Sequence, residues 1–363
     1  MPPTIVISPD SFKGSLSARA VAAAIADGWR QVRPDDDLVL LPLADGGEGT
    51  IDAVESAVAG SRRRTVAAVT GPDGRSVPGE WLELPDGTAV LEIAQASGLP
   101  LMARLDALAA TSRGLGEVAR AALDAGARRM VIGLGGSAST DAGLGALGAL
   151  GLLATDEQNE PVHDGGGWLH EIVTIDRTHL TAPPPDGVTL LTDVTAPLTG
   201  PHGAAAVFGP QKGATPEQVA LLDAGLGHVA RILGGDPDAP GAGAAGGAAY
   251  GLSAAWGAHI RPGADYLLEL GGVYDAIARA DLVITGEGSF DEQSLGGKLV
   301  GQVLTLAGPE RTAVIAGRVA ARTDAWTASL TELAGSAESA MADTTRWAKA
   351  AGAAAAEAFS ARD

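Results

Sequence analysis

Residues 5–30 read IVISPDSFKGSLSARAVAAAIADGWR, and this stretch contains the pattern that decides the fold. A β-branched run, Ile5-Val6-Ile7, ends at Ser8, and an Ala-rich helical stretch follows over 17–30. Short apolar runs that stop at a small or hydroxyl residue recur at 131–133, 283–285 and 314–316. Continuous apolar strands of this kind are typical of a parallel sheet covered on both faces. The alternation of strands and helices therefore predicts an α/β fold built from βαβ units.

Length and motif placement predict two α/β domains. A chain of 363 residues is long enough for two domains of ordinary size. The segments SPDSFKGS (8–15) and ITGEGSFD (284–291) carry the same strand-end pattern, so the first and last parts of the chain are expected to share one sheet. We predict a Rossmann-like, discontinuous α/β domain formed by 1–72 and 275–363, with a second α/β domain, 73–274, inserted into it.

Composition excludes several classes of function. The formal net charge of −19 repels phosphate backbones and anionic membrane surfaces, so neither nucleic acid nor a membrane is an expected partner. The absence of cysteine excludes disulfides, thiolate zinc sites and a cysteine nucleophile. The start of the chain, MPPTIVISPD, has no basic or strongly apolar leader, which predicts a cytoplasmic location. The longest uncharged stretch, 239–260, is too rich in glycine for a membrane span.

Two helices and one ambiguous segment are expected in the second half of the chain. Thr215, Pro216 and Gln218 form a capping pattern that predicts a helix from this point to Gly234. The tail over 336–359 is predicted to form an Ala-rich closing helix. The glycine-rich stretch 234–247 is consistent with a flexible linker or with a backbone-lined binding loop.

Five glycine-rich segments carry acidic, hydroxyl or lysine residues. They are SPDSFKGSLS (8–17), LADGGEGT (43–50), GLGGSASTDAGLG (133–145), TDVTAPLTGPHGAAAVFGPQKGATPEQ (192–218) and VITGEGSFDEQSLGGK (283–298). Four of them begin at or just after a predicted strand end, where backbone N–H groups and helix N-termini attract anions. These segments therefore predict a phosphate-binding site, although each one taken alone is also consistent with an ordinary turn.

One of these segments leaves a dinucleotide-binding alternative open. Residues 133–138 match the GxGxxA form of the dinucleotide fingerprint, and Asp156 offers only a loose match to the expected ribose-binding acid. A P-loop is not satisfied, because Lys298 is followed by Leu299 and lacks the spaced upstream glycine. A dinucleotide-dependent oxidoreductase and a non-catalytic small-anion binding protein both stay open at this point.

The lysines are candidates for phosphate contacts. The chain has 25 basic residues, of which only four are lysines, and three of these adjoin a glycine: Lys13, Lys212 and Lys298. A compact ammonium beside a glycine suits a point contact to a phosphate oxygen that the backbone also approaches. The fourth, Lys349, is predicted to be a surface residue of the last helix.

Carboxylates in the same segments are candidates for metal binding and proton transfer. They are Asp10, Asp45, Glu48, Asp141, Asp193, Glu287 and Asp291. A magnesium nucleotide needs one or two carboxylates, and phosphoryl transfer to an alcohol can use another to take the hydroxyl proton. For Asp141 and for Glu217 we favour a capping or turn role. Asp193 ends an apolar run, 188–191, before a proline-rich loop, and we interpret it as an acid with no helix to cap.

The set of segments, in this order, resembles the bacterial glycerate kinase family that makes phosphoglycerate from D-glycerate. The resemblance includes SPDSFKGSLSA, ADGGEGT, TSRGLGE (111–117), GGSASTDAGLG, DVTAPLTG with FGPQKGAT, GAGAAGG (241–247) and ITGEGSFDEQSLGGK. It implies an ATP-dependent, Mg²⁺-requiring kinase with two α/β domains and an active site between them. It favours 2-phosphoglycerate as the product, with 3-phosphoglycerate as the alternative. Ser289 departs from the family pattern by standing where an arginine is usual.

The residues of these segments can be assigned catalytic, metal-binding and substrate-binding roles as hypotheses. We expect Asp193, Lys298 and Asp10 to be catalytic, and Asp193 and Glu287 to contact Mg²⁺. In this hypothesis Lys298 and residues 286–288 hold nucleotide phosphates, Asp193 contacts the metal or accepts the substrate hydroxyl proton, and residues 10–13 face the glycerate carboxylate or the transferred phosphate. The expected substrate- or phosphate-binding residues are Ser11, Lys13, Asp45, Gly46, Gly47, Glu48, Gly135, Gly136, Ser137, Lys212, Gly286, Glu287, Gly288 and Asp291.

Overall fold

The computed structural model describes residues 2–296 and 299–361, so the predicted catalytic Lys298 lies outside the described residues. The chain divides into two compact units. The first unit comprises 1–45, 52–59 and 264–363, and the second comprises 46–51 and 60–263. The predicted domain limits at residues 72 and 275 stay a prediction.

The strands and helices alternate along most of the chain. The strands are β1 (Thr4–Ile7), β2 (Asp37–Leu40), β3 (Arg62–Thr70), β4 (Ser76–Glu83), β5 (Thr88–Glu92), β6 (Arg129–Gly133), β7 (Leu153–Thr155), β8 (Thr174–Asp176), β9 (Val188–Leu191), β10 (His259–Arg261), β11 (Leu282–Thr285), β12 (Ser289–Phe290), β13 (Thr312–Ala316), β14 (Arg318–Val319) and β15 (Trp326–Ser329). The α-helices are α1 (Ala18–Val32), α2 (Thr50–Ala57), α3 (Ile93–Ser97), α4 (Arg113–Asp124), α5 (Leu144–Ala149), α6 (Ala204–Phe208), α7 (Pro216–Leu233), α8 (Ala248–Trp256), α9 (Gly263–Leu270), α10 (Val273–Arg279), α11 (Glu292–Leu295), α12 (Leu299–Ala307), α13 (Leu330–Ala334), α14 (Ala337–Ala342) and α15 (Thr344–Ser360). Short 3-10 helices lie at Leu99–Leu101, Gly166–Glu171, Pro210–Lys212, Ala244–Gly247 and Pro309–Arg311.

The first unit is built on a parallel sheet with the strand order β15-β13-β11-β1-β2. Strand β1 pairs with β2 on one side and with β11 on the other, so strands from the start and from the last third of the chain are neighbours. Every residue of β11 and of β13 is buried, as expected for strands covered on both faces. Ser8, directly after β1, is fully buried at the end of this sheet.

Helices α1 and α15 pack closely in the first unit because small residues line their contact. A Cβ placed on Gly28 would lie 1.9 Å from the Lys349 backbone oxygen, and one on Gly352 would lie 2.2 Å from that of Ile25. The prediction of a single closing helix is wrong in one respect, because the helix is interrupted between α14 and α15. Asp343 stands at this break, and its Oδ1 accepts a hydrogen bond from the Arg346 N–H at 3.1 Å.

The second unit contains a mixed sheet with the strand order β10-β9-β6-β5-β4-β3. Strands β5, β6, β9 and β10 are parallel, while β3 and β4 extend the sheet as antiparallel strands at one edge. Parallel sheets in both units, with the second unit inserted into a discontinuous first one, confirm the predicted fold class.

Helix α7 begins and ends where the sequence predicts. The Thr215 side chain accepts from the Gln218 N–H, the Gln218 side chain accepts from the Thr215 N–H, and Pro216 occupies the first turn. The buried face includes Leu222, Leu226, Val229 and Leu233, and the helix ends at Gly234 with φ of +75°. Helix α5 is short and spans Leu144–Ala149.

The glycine-rich stretch 234–247 is not a flexible linker, because its second half is buried. All residues of 241–247 are buried, and Ala242, Ala244 and Ala245 belong to the hydrophobic core of the second unit. Within the described residues, no helix combines the length and the apolar character that a membrane span requires.

Candidate active site

Ser8 joins the carboxyl ends of three strands in the first unit. Its N–H donates to the Ile284 carbonyl oxygen at 2.7 Å, and its hydroxyl donates to the Leu41 carbonyl oxygen at 2.7 Å. Its own carbonyl oxygen accepts from the Thr285 hydroxyl at 2.9 Å. The loops that follow β1, β2 and β11 therefore leave the sheet at the same edge, which is the position where α/β folds bind ligands.

Asp10 is held at this edge by its neighbours in the chain and by the loop after β11. Its N–H donates to the Gly286 carbonyl oxygen at 2.8 Å, and its carboxylate accepts from the Ser11 N–H at 2.6 Å. Gly286 has no room for a side chain, since a Cβ there would lie 1.7 Å from the Ile315 carbonyl oxygen. The glycine of the predicted segment is thus required for the loop to pack on β13.

Burial and the surrounding charges together raise the pKa of Asp10. Burial raises the pKa of the Asp10 carboxyl to about 6, and the negative charges of Asp45 and Glu287 add to this. The Ser11 N–H and the Lys13 ammonium oppose the shift. The structure therefore brings together four of the predicted charged residues, Asp10, Lys13, Asp45 and Glu287, in one electrostatic cluster.

The loop after β11 is anchored through its backbone. The carbonyl oxygens of Glu287 and Gly288 accept from the N–H groups of Gly317 and Arg318, both at 3.1 Å. Asp291, predicted to bind substrate or phosphate, serves helix α11 in the structure. Its Oδ1 accepts from the N–H groups of residues 293 and 294 at 2.9 and 3.3 Å.

The predicted loop 46–48 belongs to the second unit, and its glycines lie against β6 and β9. The Gly46 carbonyl oxygen accepts from the Gly135 N–H at 3.1 Å. A Cβ on Gly135 would lie 2.4 Å from Gly47 Cα, and one on Gly46 would lie 2.8 Å from Leu191 Cβ. Gly46 and Gly47 are buried, whereas Glu48 is exposed. Two of the predicted glycine segments are therefore in backbone contact.

Glu92, at the end of β5, holds the same loop and was missed by the sequence analysis. Its side chain is only 2% exposed, and its carboxylate accepts from the Ile51 N–H at 2.5 Å and from the Gly49 N–H at 3.3 Å. The signal was present in the sequence, since Glu92 directly follows the apolar run 89–91. The same pattern led us to single out Asp193.

The loop 135–140 leaves Gly136 exposed and buries its hydroxyl residues. Gly136 is exposed and Gly135 is half-buried, while Ser137 is buried. Lys212, predicted to contact substrate or phosphate, is also buried, with its Nζ 3.1 Å from Ser137 Oγ. Helix α5 begins only at Leu144, so this loop does not open a helix as the dinucleotide fingerprint requires.

Asp141 has the structural role that the sequence favoured. It is fully buried and accepts from the Ser112 N–H at 2.8 Å, from the Ser112 hydroxyl at 2.7 Å and from the Gly143 N–H at 3.1 Å. Burial raises its pKa, and these hydrogen bonds oppose the rise. Glu217 lies in the first turn of α7, where an acid is favourable.

Asp193 is exposed two residues after the end of β9, and the interpretation that it has no helix to cap is wrong. Its Oδ1 accepts from the N–H of Gly263, the first residue of α9, at 2.9 Å. This contact orients the carboxylate at the carboxyl end of the sheet of the second unit. The roles predicted for Asp193 in metal binding or proton transfer stay a prediction.

These observations define a class of protein. Both units are α/β, and in each the loops at strand ends carry glycines and carboxylates. Such loops are typical of enzymes that bind phosphorylated ligands.

Comparison with known proteins gives the family. The model of the glycerate kinase family matches residues 5–360. The chain is 43% identical over 304 residues to glycerate 2-kinase of Escherichia coli (strain K12), covering 81% of this chain and 79% of that protein. It is 44% identical over 303 residues to glycerate kinase of Bacillus subtilis (strain 168), with the same two shares of 81% and 79%. A crystal structure assigned as glycerate kinase 2 from Salmonella typhimurium LT2 superposes with a TM-score of 0.83, at 40% identity and with 99% of each chain covered.

The chain belongs to the glycerate kinase family. The family resemblance drawn from the sequence is thereby confirmed. Membership also favours the kinase over the two alternatives, the dinucleotide-dependent oxidoreductase and the non-catalytic anion-binding protein.

Proposed function

We propose that this protein is an ATP-dependent kinase that phosphorylates the 2-hydroxyl group of D-glycerate to give 2-phosphoglycerate. The observation that carries the proposal is the 43% identity to glycerate 2-kinase of Escherichia coli over 81% of the chain. The cluster around Asp10 supports it, because it places carboxylates and an ammonium at the strand ends of the first unit. A cytoplasmic location stays a prediction.

In this proposal the 2-hydroxyl oxygen of glycerate attacks the γ-phosphorus of ATP. A bond forms between that oxygen and the phosphorus, the bond from the phosphorus to the β,γ-bridging oxygen breaks, and ADP leaves. The hydroxyl proton must pass to a base, which carboxylates provide in phosphoryl transfer.

Asp10 is the candidate base that the structure favours. A general base works best when its pKa lies near the working pH, and the pKa of Asp10 is raised to about 6. The Asp10 N–H donates to the Gly286 carbonyl oxygen, and this bond holds the residue at the edge of the sheet. Asp193 is the alternative, either as the base or as a metal ligand.

The anionic parts of the substrates need cationic and N–H partners in a chain with a net charge of −19. Lys13 is exposed beside Asp10, and we assign it, with Ser11, to the glycerate carboxylate or the transferred phosphate. Lys298 and residues 286–288 are assigned to the nucleotide phosphates.

The donor set of the first unit fits Mg²⁺. The charges of Asp45 and Glu287 act on Asp10, and a bound divalent cation would offset this repulsion. Among the residues 2–296 and 299–361, no three acidic or histidine side chains are placed to hold a metal by themselves. Mg²⁺ suits such a site because it uses one or two carboxylates together with substrate phosphates. When bound, it neutralises charge on the β- and γ-phosphates. Glu287 stays the predicted ligand from this unit, and the metal contact predicted for Asp193, a residue of the second unit, also stays a prediction.

The activity is tested by ADP formation from ATP, Mg²⁺ and D-glycerate, with the product supplied directly to enolase. Enolase turnover without added phosphoglycerate mutase identifies 2-phosphoglycerate, whereas turnover only after the mutase identifies 3-phosphoglycerate. Absence of ADP formation contradicts the kinase function.

The site is tested by Lys298→Ala and Asp193→Asn. Each variant is expected to lower kcat about tenfold or more, which corresponds to about 1.4 kcal/mol of barrier. Lys349→Ala is the matched control, since Lys349 lies on α15 and is expected to leave turnover unchanged. Near-normal turnover in both site variants would remove these residues from the proposal.

A further inference from the structure

Lys212 is a buried lysine whose ammonium is hydrogen-bonded to two groups of one distant loop. It ends the 3-10 helix Pro210–Lys212 and is 2% exposed. Its Nζ donates to the Ser139 carbonyl oxygen at 2.5 Å and to Ser137 Oγ at 3.1 Å. Both acceptors lie on the loop 135–140, more than 70 residues earlier in the chain, so Lys212 joins two distant segments of the second unit.

The Ser139 carbonyl oxygen is enclosed from a second direction by the glycine-rich segment 241–247. A Cβ on Gly246 would lie 2.1 Å from this oxygen. Gly246 has φ of +65° and Ala245 has φ of +53°, a left-handed conformation that is unfavourable for alanine. The Gly246 carbonyl oxygen accepts from the Ala142 N–H at 3.1 Å, and Ala142 is also left-handed, with φ of +54°. Strained buried backbone of this kind persists only where the surroundings fix it, and it concentrates at functional sites.

Burial and one acidic residue act in opposite directions on the ammonium of Lys212. Asp141 is the charged residue whose field acts on Lys212. Its carboxylate is fixed by Ser112 and by the N–H groups of Gly143 and Gly145, so it cannot turn away. Burial nevertheless lowers the pKa of Lys212 to about 8.

Lys212 donates hydrogen bonds to the inner, buried part of the loop, residues 137–140. The hydroxyl oxygens of Ser139 and Thr140 are buried and have no hydrogen-bond partner in the described part of the chain. The outer part of the loop, Gly135 and Gly136, is held by other residues. The Leu99 N–H, for example, donates a hydrogen bond to the Gly136 carbonyl oxygen at 2.9 Å. Loss of Lys212 would thus take away the donor to the Ser139 carbonyl oxygen and to Ser137 Oγ. The backbone bonds from the Gly135 N–H to the Gly46 carbonyl oxygen and from the Ala138 N–H to the Ser97 carbonyl oxygen would remain.

We propose that Lys212 is a positioning residue of the kinase, which holds the loop 135–140 from inside so that Gly135 and Gly136 are presented to a substrate. It does this through the Ser137 hydroxyl and the Ser139 carbonyl, without touching ATP or glycerate. The inference rests on the proposed function for its catalytic consequence. It differs from a direct phosphate contact, for which Lys13, being exposed, is better placed.

The first experiment measures the accessibility of Lys212 in the wild-type protein and needs no kinase activity. The chain has only four lysines, so reductive methylation followed by peptide mass spectrometry reports each one separately. Lys212 is expected to react at least about tenfold more slowly than the exposed Lys13, and ATP or D-glycerate should not change its rate. Fast labelling of Lys212 that ATP or D-glycerate suppresses would make it a ligand-binding residue and overturn the proposal.

The second experiment removes and restores the ammonium. Lys212→Met keeps an unbranched side chain as far as Cε and removes only the ammonium. It is expected to lower kcat/KM about tenfold or more, because a small misplacement of a binding loop costs that much. Since the natural chain has no cysteine, Lys212→Cys can be aminoethylated selectively in denaturant and refolded, which rebuilds a lysine-like ammonium at this position. Aminoethylation is expected to restore most of the lost activity. Lys349→Cys carried through the same steps is the matched control.

The dependence of kcat/KM on pH shows whether the charge of the Lys212 ammonium positions the loop or whether its side chain only fills space. Wild-type kcat/KM is expected to fall as pH rises above about 8, because the neutral amine loses the charge-assisted bond to Ser139. In the aminoethylated Lys212→Cys protein this decline should move to lower pH, since the sulfur makes the ammonium more acidic. Unchanged kcat/KM in Lys212→Met, or an alkaline decline that does not move, would refute the proposal. Wild-type protein that makes no ADP would instead refute the proposed function, and the labelling result would still decide whether Lys212 is accessible.

Discussion

The substitution Asp10→Asn should make the ligand-free protein more stable while it removes activity. The carboxyl of Asp10 is held in surroundings that disfavour its charge, since burial and the charges of Asp45 and Glu287 all raise its pKa. Asparagine is neutral at every pH, and its side-chain oxygen can still accept from the Ser11 N–H, which lies 2.6 Å from Asp10 Oδ1. The variant therefore removes the unfavourable charge without removing this hydrogen bond.

The magnitude follows from the shift of the pKa. It rises from 3.8 to about 6, and each pKa unit corresponds to 1.36 kcal/mol, so the charged carboxylate costs up to about 3 kcal/mol of folding free energy. The folded protein holds its proton more tightly than the unfolded chain does. The cost is therefore absent below about pH 4, grows as pH rises, and is complete above about pH 6.

The assay is urea unfolding at pH 4 and at pH 8, without nucleotide and with EDTA, analysed transition by transition because the chain has two units. The difference in unfolding free energy between Asp10→Asn and wild type should be near zero at pH 4 and up to about 3 kcal/mol at pH 8. Asp27→Asn is the matched control, because Asp27 is an exposed acid paired with Arg30 at 3.8 Å, and such pairs contribute little.

Two results would refute this reasoning. The first is a gain in stability that is the same at both pH values, since only the charge of Asp10 depends on pH here. The second is a variant less stable than wild type at pH 8. In the kinase assay the same variant is expected to lose about tenfold or more of kcat, and full activity would exclude Asp10 as the base.

Two further substitutions test the loops that carry the site. Gly286→Ala places a Cβ 1.7 Å from the Ile315 carbonyl oxygen and should lower the free energy of unfolding by about 3 kcal/mol or more. Gly227→Ala on α7 is the control, because the nearest neighbouring atom outside the helix backbone lies 3.8 Å from the new Cβ. It should raise the free energy of unfolding by about 0.4–1 kcal/mol. Equal effects of the two in urea unfolding would contradict the packing around Gly286. Glu92→Gln puts an amide where two N–H groups need acceptors, and we expect a loss of about 1–3 kcal/mol with a higher KM for a substrate. Wild-type KM and stability would show that Glu92 does not hold the loop 46–51.

The sequence predicted those parts of the fold that depend on neighbouring residues. The run Ile5-Val6-Ile7 followed by an Ala-rich stretch gave strand β1 and helix α1, because burial on both faces and helix propensity are local patterns. The capping residues Thr215 and Gln218 marked the start of α7 for the same reason. The closing helix was predicted as one piece, since composition alone does not reveal that Asp343 caps a new helix.

The family motifs also indicated which loops carry the candidate site, but not how their side chains are used. Asp291 lies in such a motif and caps α11, while Asp193 has a partner, Gly263, that is 70 residues away. Glu92 carries no motif and nevertheless holds the loop 46–51. Each of these outcomes depends on contacts between residues that are distant in the chain.

The sequence by itself determined the α/β class, the discontinuous arrangement and the family, because periodicity and motif order are properties of the chain. Only the tertiary structure decided that the pKa of Asp10 is raised to about 6 and that Lys212 is buried, bonded to the Ser139 carbonyl oxygen and within the field of Asp141. The physical reason is that burial and the fields of distant charges set the chemistry of an ionisable group, and both exist only once the chain is folded.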